Sequence, residues 1–454
     1  MGLILHDVDV AGERVAVRIE DGAVASVGSE DRSRSSGEVI DGRGGALLAG
    51  LHDHHLHVLA LAAARRSISV SASTTNNATF AAALRDASTR GPVRAVGYHE
   101  RVFGGLDRDV LDGIVRGVPV RVQHRTGGLW ILNSCALEQI EPSRLADARF
   151  ERDHAARLTG RLWRGDDLVR DDAGLRDGEI AAIGSELAAV GVTAVTDATA
   201  SNDPSSVACL RALPQRVRVM GPIELALDDS ERLTLGEVKV VPDDDDLPDI
   251  DDLVRLVLEA HGRGRGVAVH CVTLVQVRFA IEAFRVAGVR GDRIEHASVA
   301  PADVIADLHA LGLTVVTQPA FVSARGDEYM TDVDPRDVAA LYPTASLLAA
   351  GVPTRGSSDA PYGPIDPWEA MRAAVQRRTA RGTVVGASER IRPSNALALF
   401  TGSDTVRAGL PADLVLLSVP LSDALARLRR DDVVLTIVGG AVVYDARERP
   451  PRAG

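Results

Sequence analysis

Short apolar runs alternate with helical patterns through the central part of the chain. Eight valine-rich or otherwise apolar runs follow one another: ALLAGLHDHH at 46–55, VTAVTDA at 192–198, RVRVMGPI at 216–223, EVKVV at 237–241, VAVHC at 267–271, DRIEHA at 292–297, LTVVTQP at 313–319 and TRGSSDA at 354–360. Alternation of buried strands with helices is typical of a parallel α/β sheet. Because eight strand–helix units close a barrel, the pattern predicts an α/β fold with a (β/α)8 TIM barrel.

Both ends of the chain show the two-residue alternation of half-buried strands. Near the start, RVAVRIE precedes an Asp21–Gly22 turn, and near the end VVLTIV and AVVYDA flank Gly439–Gly440. These are hairpin patterns. We therefore expect residues 1–47 and 403–454 to form one small composite β-sandwich domain, with the barrel over residues 48–402.

The interval between the first two runs, residues 58–191, is far longer than the usual connection between a strand and its helix. We expect it to contain an inserted subdomain or lid. Within it, GYHE at 97–100, RVQHRTGGLW at 121–130 and NSCALE at 133–138 carry polar residues suited to the rim of an active site.

The segment HDHHLH at 52–57 places four histidines at the end of the first apolar run. Residues two apart in a strand point to the same side, so we expect Asp53, His55 and His57 on one face. Imidazole nitrogen is a common ligand of divalent cations, and a His-x-His pair offers two nitrogens to one cation. Since the chemistry of such barrels takes place at the carboxyl ends of their strands, this position favours a metal site over two exposed or hydrogen-bonded histidines.

Three other runs also end in polar residues, namely His270, His296 and Asp359. A buried histidine needs partners for both nitrogens, and a buried carboxylate is costly unless it is paired or binds a metal. Taken singly, each histidine is more often a hydrogen-bonded core residue, and Asp359 also suits the N-cap of a helix. Their joint occurrence at strand ends favours a metal centre shared with the His-x-His pair.

The charge balance excludes several classes of partner. The chain has 454 residues, of which 51 are basic and 63 acidic, for a net charge of −12. Such a field repels phosphate backbones, so neither nucleic acid nor an anionic membrane is an expected partner. The three cysteines lack paired or zinc-finger spacing, and we find neither a basic leader nor an apolar run of membrane-spanning length. We expect a cytoplasmic protein.

One basic residue stands apart, because Lys239 is the single lysine among 51 basic residues. A genome that favours arginine codons accounts for the general bias but not for this exception. A buried lysine amine can lose its proton and react with carbon dioxide, which gives an anionic carbamate with two ligating oxygens. Arginine, with a pKa above about 12, stays protonated and cannot do so. The pattern therefore indicates a carboxylated lysine at Lys239, against an ion-paired or chance lysine.

Together these motifs resemble the amidohydrolase superfamily. Within it, they are most similar to the branch called amidohydrolase family 3, which includes N-substituted formamide deformylases. The resemblance covers nearly the whole chain through GLHDHHLH, NSCALE, GVTAVTDA, GEVKVV, VAVHC, RIEHAS, GSSDAP and PADLVLL. It implies a metal-dependent hydrolase on a TIM barrel with a small β domain from both termini.

The resemblance also implies a complete set of ligands for two divalent metal ions. The expected ligands are His55, His57, carboxylated Lys239, His270, His296 and Asp359. Zinc is the cation we expect first, although such donors also accept iron, manganese or cobalt.

The implied activity is hydrolysis of a non-peptide C–N bond, of the amide, formamide or lactam type, in a small molecule. In such sites the metals supply hydroxide from water, and Asp359 acts as general base and then as acid. The candidates for substrate binding or for stabilising the oxyanion are His99, His124, Asn133, Gln318 and Tyr362.

Two alternatives stay open. A mononuclear deaminase of the same superfamily typically has a glutamate near the fifth strand, whereas no glutamate directly follows His270. A catalytically silent relative would act as a binding or scaffold protein, but silent relatives usually lose metal ligands. In each case the expected partner is a small molecule, and the superfamily is also consistent with a homodimer.

Overall fold

The computed structural model describes residues 2–28, 37–70, 76–169, 177–228, 230, 232–244, 246–402 and 405–448. Parts of the predicted composite domain (29–36, 403–404 and 449–454) and of the predicted insertion (71–75 and 170–176) lie outside the described residues.

Strands and helices alternate along most of the described chain. The strands are β1 (Gly2–Val10), β2 (Glu13–Glu20), β3 (Ala23–Gly28), β4 (Gly37–Asp41), β5 (Leu47–Ala49), β6 (Leu51–Leu56), β7 (Ile68–Ser69), β8 (Val93–Tyr98), β9 (Val120–His124), β10 (Leu129–Leu132), β11 (Phe150–Arg152), β12 (Leu158–Trp163), β13 (Val192–Asp197), β14 (Arg216–Gly221), β15 (Leu233–Val240), β16 (Val267–Cys271), β17 (Arg293–His296), β18 (Thr314–Thr317), β19 (Thr354–Gly356), β20 (Leu414–Leu417), β21 (Val433–Val438) and β22 (Ala441–Asp445). The helices are α1 (Val58–Arg65), α2 (Asn77–Ser88), α3 (Glu100–Phe103), α4 (Arg108–Ile114), α5 (Ser134–Leu137), α6 (Asp166–Val169), α7 (Asp177–Ala188), α8 (Pro204–Leu210), α9 (Ile250–Gly262), α10 (Leu274–Ala287), α11 (Ala302–Leu311), α12 (Ala320–Asp332), α13 (Pro335–Val338), α14 (Thr344–Ala349), α15 (Pro367–Gln376), α16 (Pro393–Thr401) and α17 (Leu421–Arg427).

The chain divides into two compact units. The barrel unit comprises Met1–Val58 and Asp177–Gly454, and the inserted unit comprises Leu59–Arg176. The chain therefore leaves the barrel unit directly after the first barrel strand and returns to it at α7.

The central sheet of the barrel unit has eight strands, in the order β6, β13, β14, β15, β16, β17, β18, β19. All seven neighbouring pairs are parallel. Each strand overlaps one of the eight predicted apolar runs, although β15 begins four residues before its run, and the predicted barrel fold is confirmed.

Backbone hydrogen bonds join the first and last segments of this sheet. Asp359 N donates to His55 O, and His57 N donates to Ala360 O, each at 2.8 Å. The Asp53 carboxylate accepts a further bond from Ser358 N at 3.0 Å. These contacts place the residues that follow β19 directly beside the end of β6.

The two faces of the barrel strands have different surroundings. In β16, Val267, Val269 and Cys271 lie in one apolar cluster with side chains of α9 and α10. The alternate residue Ala268 packs instead with Met220 of β14 and with Ala198, which directly follows β13. Because side chains alternate along a strand, His270 lies on the same side as Ala268, away from the helices.

Each of these helices begins at a capping residue. The Asp249 carboxylate accepts from Asp251 N at the start of α9. Thr273 and Gln276 form a reciprocal capping box at the start of α10, which satisfies backbone donors that a helix leaves unpaired. Within the described residues, no helix is long and apolar enough to cross a membrane.

Segments from both ends of the chain form two four-stranded sheets, ordered β3-β2-β1-β4 and β22-β21-β20-β5. Strand β5 pairs antiparallel with β20, so the second sheet combines an early strand with late ones. Leu5 and Val17 of the first sheet share an apolar cluster with Leu414 and Leu435 of the second.

The inserted unit has its own six-stranded sheet, in the order β11-β12-β10-β9-β8-β7. Phe80, Tyr98, Leu111, Val122 and Ile131 lie in its main apolar cluster and are fully buried. This unit therefore has a core of its own.

A buried carboxylate joins helix α9 to the starts of two barrel strands. Asp292 accepts from His261 Nε2 at 3.0 Å, from Val267 N at 2.6 Å and from Arg290 N at 3.0 Å. We expect Asp292→Ala to lower the free energy of unfolding by about 2–4 kcal/mol, because it leaves the buried Val267 N–H and two partly buried donors without their acceptor. Urea unfolding measures the change. The exposed Asp431 supplies the control, and Asp431→Ala is expected to change stability by less than about 0.5 kcal/mol; equal effects of the two changes would contradict this role.

Candidate functional site

Three of the expected ligands meet where the first and last barrel segments join. His55 ends β6, His57 follows it, and Asp359 follows β19. One donor atom from each lies within 4.8 Å of the other two. The His55 Nε2 and His57 Nε2 atoms lie 3.6 and 3.4 Å from Asp359 Oδ1. His55 and Asp359 are buried, whereas the His57 side chain keeps 19% of its surface exposed.

The other expected ligands adjoin this group. The ring centroid of His296 lies 4.9 Å from that of His55 and 4.5 Å from that of His270. Lys239 lies on β15, the strand next to the one that carries His270. It is close enough for its charge to act on the pKa of both His55 and His296. The structure therefore brings all six predicted ligand residues to one end of the barrel.

The far nitrogens of two of these rings contact oxygen atoms that only accept hydrogen bonds. His55 Nδ1 contacts Glu295 Oε2, and His296 Nδ1 lies 2.8 Å from Gln318 Oε1. The amide of Gln318 is oriented by the bond that its Nε2 donates to Ser357 Oγ at 2.9 Å. Because each Nδ1 must donate its proton to an acceptor, Nε2 of His55 and of His296 carries a lone pair.

The pKa shifts of His55 and His296 favour the neutral form of both rings. Burial, followed by the charge of Lys239, lowers the pKa of His55 well below its usual range. Burial also lowers the pKa of His296.

Two buried atoms of this group lack a partner. Within the described part of the chain, neither Lys239 Nζ nor Asp359 Oδ1 makes a hydrogen bond. A buried polar atom without a partner is costly, and here the Asp359 carboxylate also faces the lone pair of His55. A cation between nitrogen and oxygen donors removes both costs, so these residues fit a divalent metal centre.

The backbone is strained at two of the ligand candidates. His296 and Asp359 have φ angles of 74° and 52°, and Ala297 has a φ of 45°. Non-glycine residues rarely adopt this left-handed region, and such strain is concentrated at functional sites. Packing and hydrogen bonds around the end of the barrel therefore hold both side chains against a local conformational cost.

Two of the predicted substrate-binding residues have other contacts in the structure. Gln318 is buried and orients His296. Asn133 is fully buried, and its side chain accepts from Val120 N and Ala136 N and donates to Val118 O. These bonds give both amides positioning roles in the fold, so we do not assign either of them to substrate.

Tyr362 lies beside the metal-ligand candidates. Its ring meets that of His57 edge to face, with a centroid distance of 5.6 Å. Among the predicted substrate-binding residues of the barrel unit, it is therefore the one that borders His57.

His99 and His124 lie together in the inserted unit with Glu100, and one donor atom of each lies within 4.8 Å of the others. His99 Nδ1 accepts from Arg101 N at 3.1 Å, and His124 Nδ1 accepts from Thr126 N at 3.3 Å. Both neutral rings therefore carry their proton on Nε2, and His124 Nε2 lies 3.2 Å from Glu100 Oε2. In the barrel, by contrast, the protons of His55 and His296 are on Nδ1. Protons on Nε2 suit a hydrogen-bonded cluster better than a metal centre.

The sequence analysis did not single out Glu295 or its partner Arg293. Arg293 Nε donates to Glu295 Oε1 at 2.8 Å, and both side chains are buried. The signal was present in DRIEHA at 292–297, where two charged residues at two-residue spacing share one face of a barrel strand. A charged pair on a buried strand is unusual enough to indicate a specific partner.

A comparison with protein families identifies the family of the chain. The model of the Amidohydrolase family matches residues 38–444. The chain belongs to the amidohydrolase family. The resemblance inferred from the sequence motifs is thereby confirmed.

Similarity to individual members of this family is more limited. The chain is 26% identical over 215 residues to YtcJ of Bacillus subtilis (strain 168), which is 43% of this chain and 41% of that protein. It is 27% identical over 208 residues to the N-substituted formamide deformylase of Arthrobacter pascens, which is 42% of this chain and 38% of that protein. The matched segment thus spans about two fifths of the length of either relative.

Solved structures share the fold of this amidohydrolase. A metal-dependent hydrolase from Pyrococcus horikoshii OT3, described as uncharacterized, has a TM-score of 0.72 at 20% identity. The match covers 92% of this chain and 97% of that one. At this identity the likeness concerns the fold.

Acidic pH is expected to destabilise the protein through His124. Burial lowers the pKa of His124 below its ordinary value of 6.5, more than Glu100 raises it. As the pH falls below about 6.5, the unfolded state takes up this proton first, so the free energy of unfolding decreases. We expect the loss between pH 7.5 and 5.5 to be smaller in His124→Gln than in the unmodified protein. Urea unfolding at both pH values measures it, and identical slopes would contradict the assignment.

Proposed function

We propose that this protein is a metal-dependent hydrolase that cleaves a non-peptide C–N bond, of the amide, formamide or lactam type, in a small molecule. The observation that carries the proposal is the convergence of His55 Nε2 and His57 Nε2 on the buried Asp359 Oδ1, which makes no hydrogen bond within the described residues, at the end of a barrel strand. Membership of the amidohydrolase family supports the reaction class.

The proposed ligands of two divalent cations, with zinc expected first, are His55, His57, Lys239, His270, His296 and Asp359. In this proposal the Lys239 amine adds to carbon dioxide and releases a proton, which gives a carbamate with two ligating oxygens. Two properties of this residue support that role, since burial lowers the pKa of Lys239 and its Nζ is buried without a hydrogen-bond partner among the described residues. A lowered pKa increases the fraction of neutral amine, which is the form that reacts.

When bound, the divalent cations would lower the pKa of water and polarise the substrate carbonyl. Asp359 would accept the proton of the attacking water as the water oxygen adds to the carbonyl carbon. It would then donate that proton to the leaving nitrogen as the C–N bond breaks.

The neighbours of Asp359 support this role in proton transfer. The His57 side chain is partly exposed, and its Nδ1 lies 3.0 Å from Thr199 Oγ1. Tyr362, whose ring edge meets His57, is the residue that we propose to contact substrate.

The first test concerns the metal content of Lys239→Arg. We expect about two divalent metals per chain in the protein expressed with zinc and bicarbonate, and one or none in Lys239→Arg, because guanidinium cannot form a carbamate. Elemental analysis of both proteins measures the ratio. Arg255→Lys, which adds a lysine on the exposed surface of α9, should bind as much metal as the unmodified protein.

The other outcomes of this test contradict the binuclear proposal. A single metal that Lys239→Arg does not affect would instead support a mononuclear, deaminase-like centre. A protein without metal would be evidence for a binding or scaffold function.

A second test separates proton transfer from metal binding. We expect Asp359→Asn to reduce kcat by about 10²–10⁴-fold on whichever N-acyl amine, formamide or lactam the protein hydrolyses, because the amide cannot take the proton from water. Metal content should stay mostly intact, since the other ligands are unchanged. Steady-state kinetics and elemental analysis measure the two effects, with Asp431→Asn as a surface control. Retained turnover in Asp359→Asn would rule out its proposed role.

A further inference from the structure

A row of alternating charges crosses the interior of the barrel. Arg218 Nε lies 3.0 Å from Glu237 Oε2, Arg293 Nη1 lies 3.8 Å from Glu237 Oε1, and Arg293 Nε lies 2.8 Å from Glu295 Oε1. The side chains of Glu237, Arg293 and Glu295 are 6%, 8% and 0% exposed. The row ends at His55, whose Nδ1 contacts Glu295 Oε2.

This row is costly for the fold. The interior of a TIM (β/α)8 barrel is normally filled by branched apolar side chains. Replacing buried ion pairs by apolar residues of similar size is often neutral or stabilising, so stability alone does not account for them. The position of the last carboxylate, against a ligand candidate, indicates what the row contributes.

Both carboxylate oxygens of Glu295 are already in use. Oε2 meets His55 Nδ1, and Oε1 accepts from Arg293. Glu295 therefore contacts the ring nitrogen of His55 that points away from Asp359, and its effect on a cation would pass through that ring. The contact keeps the proton on Nδ1 and leaves the lone pair on Nε2, which lies 3.6 Å from Asp359 Oδ1.

Arg293 links the same carboxylate to the backbone of the first strand. Its Nη2 donates to His54 O at 2.8 Å, next to His55. Strands β6 and β17 are not neighbours in the sheet, so this side chain connects them across the barrel. One guanidinium thus holds both the backbone beside His55 and the carboxylate that orients its ring.

We propose that Glu295, held by Arg293, is a positioning residue that fixes the tautomer and orientation of His55 for metal binding. The inference rests on the proposed metal centre. It adds to that centre a residue that does not touch the cation but sets the affinity of the site for it. Carboxylates that accept from a ligating histidine typically strengthen metal binding by about 10–100-fold.

The test compares Glu295→Gln with a matched change elsewhere in the barrel. Glutamine keeps the shape, but an amide that accepts from His55 must turn its NH2 group towards Arg293, where two donors then meet. Asp292→Asn is the control, because the buried Asp292 also pairs with a histidine, His261, that is not among the proposed ligands. Co²⁺ is the probe, since its visible absorption reports the ligand field directly.

We expect Glu295→Gln to bind Co²⁺ about 10–100-fold more weakly than the unmodified protein and to change its visible spectrum. Asp292→Asn should keep both the affinity and the spectrum. Unmodified affinity and spectrum in Glu295→Gln would overturn the inference and leave the metal centre in place. Failure of the unmodified protein to bind Co²⁺ would overturn the proposed centre and the inference with it.

A second variant covers the case in which Glu295→Gln does not fold. Arg293→Lys keeps the positive charge but has one terminal amine in place of three nitrogens, so it cannot hold both Glu295 and His54 O in the same way. We expect it to weaken Co²⁺ binding as well and to broaden the spectrum. Wild-type affinity in a folded Arg293→Lys protein would also overturn the inference.

Discussion

The site depends on how the last segment of the barrel sheet meets the first. Two backbone hydrogen bonds, from Asp359 N to His55 O and from His57 N to Ala360 O, bring together segments that lie far apart in the chain. Because these bonds involve the ligand candidates themselves, the same contacts close the barrel and bring the candidates together. The left-handed backbone at Asp359 is the local cost of turning its carboxylate towards His55 and His57.

This closure creates an electrostatic conflict that a cation would resolve. An ionised carboxylate faces histidine lone pairs in a buried space, while the pKa of His55 is too low for its ring to supply a proton. Glu295 and Gln318 maintain the conflict by holding the protons of His55 and His296 on the opposite nitrogens. The arrangement is therefore poor for a protein without a cation and well suited to one that binds metal.

The two histidine clusters show that residue type alone does not make a metal site. His99, Glu100 and His124 in the inserted unit offer the same donor atoms as the cluster in the barrel, at similar spacing. Backbone N–H groups bind Nδ1 of both rings there, so the Nε2 lone pairs that a metal needs are missing. In the barrel, acceptors take that place at His55 and His296. The difference lies in the hydrogen-bond partners of the far nitrogens.

Much of this could be predicted from the sequence. Eight apolar runs of strand length were enough to predict the barrel, and the polar residues at their ends predicted which side chains the structure gathers. Both follow from local rules, because burial sets the pattern of a strand and parallel strands end on the same side. The retention of Lys239 in a chain otherwise free of lysine is also a property of the sequence alone.

The roles of individual partners needed the tertiary structure. Asn133 was a candidate for substrate, yet its amide binds backbone groups on β9 and α5. Glu295 was not a candidate, yet it orients His55 from 240 positions away in the chain. The amino-acid sequence by itself determined the fold class, the strand ends and the types of donor available. Only the tertiary structure decided which donors meet and which nitrogens keep their protons, because these depend on strand register and side-chain direction between segments with no local relation.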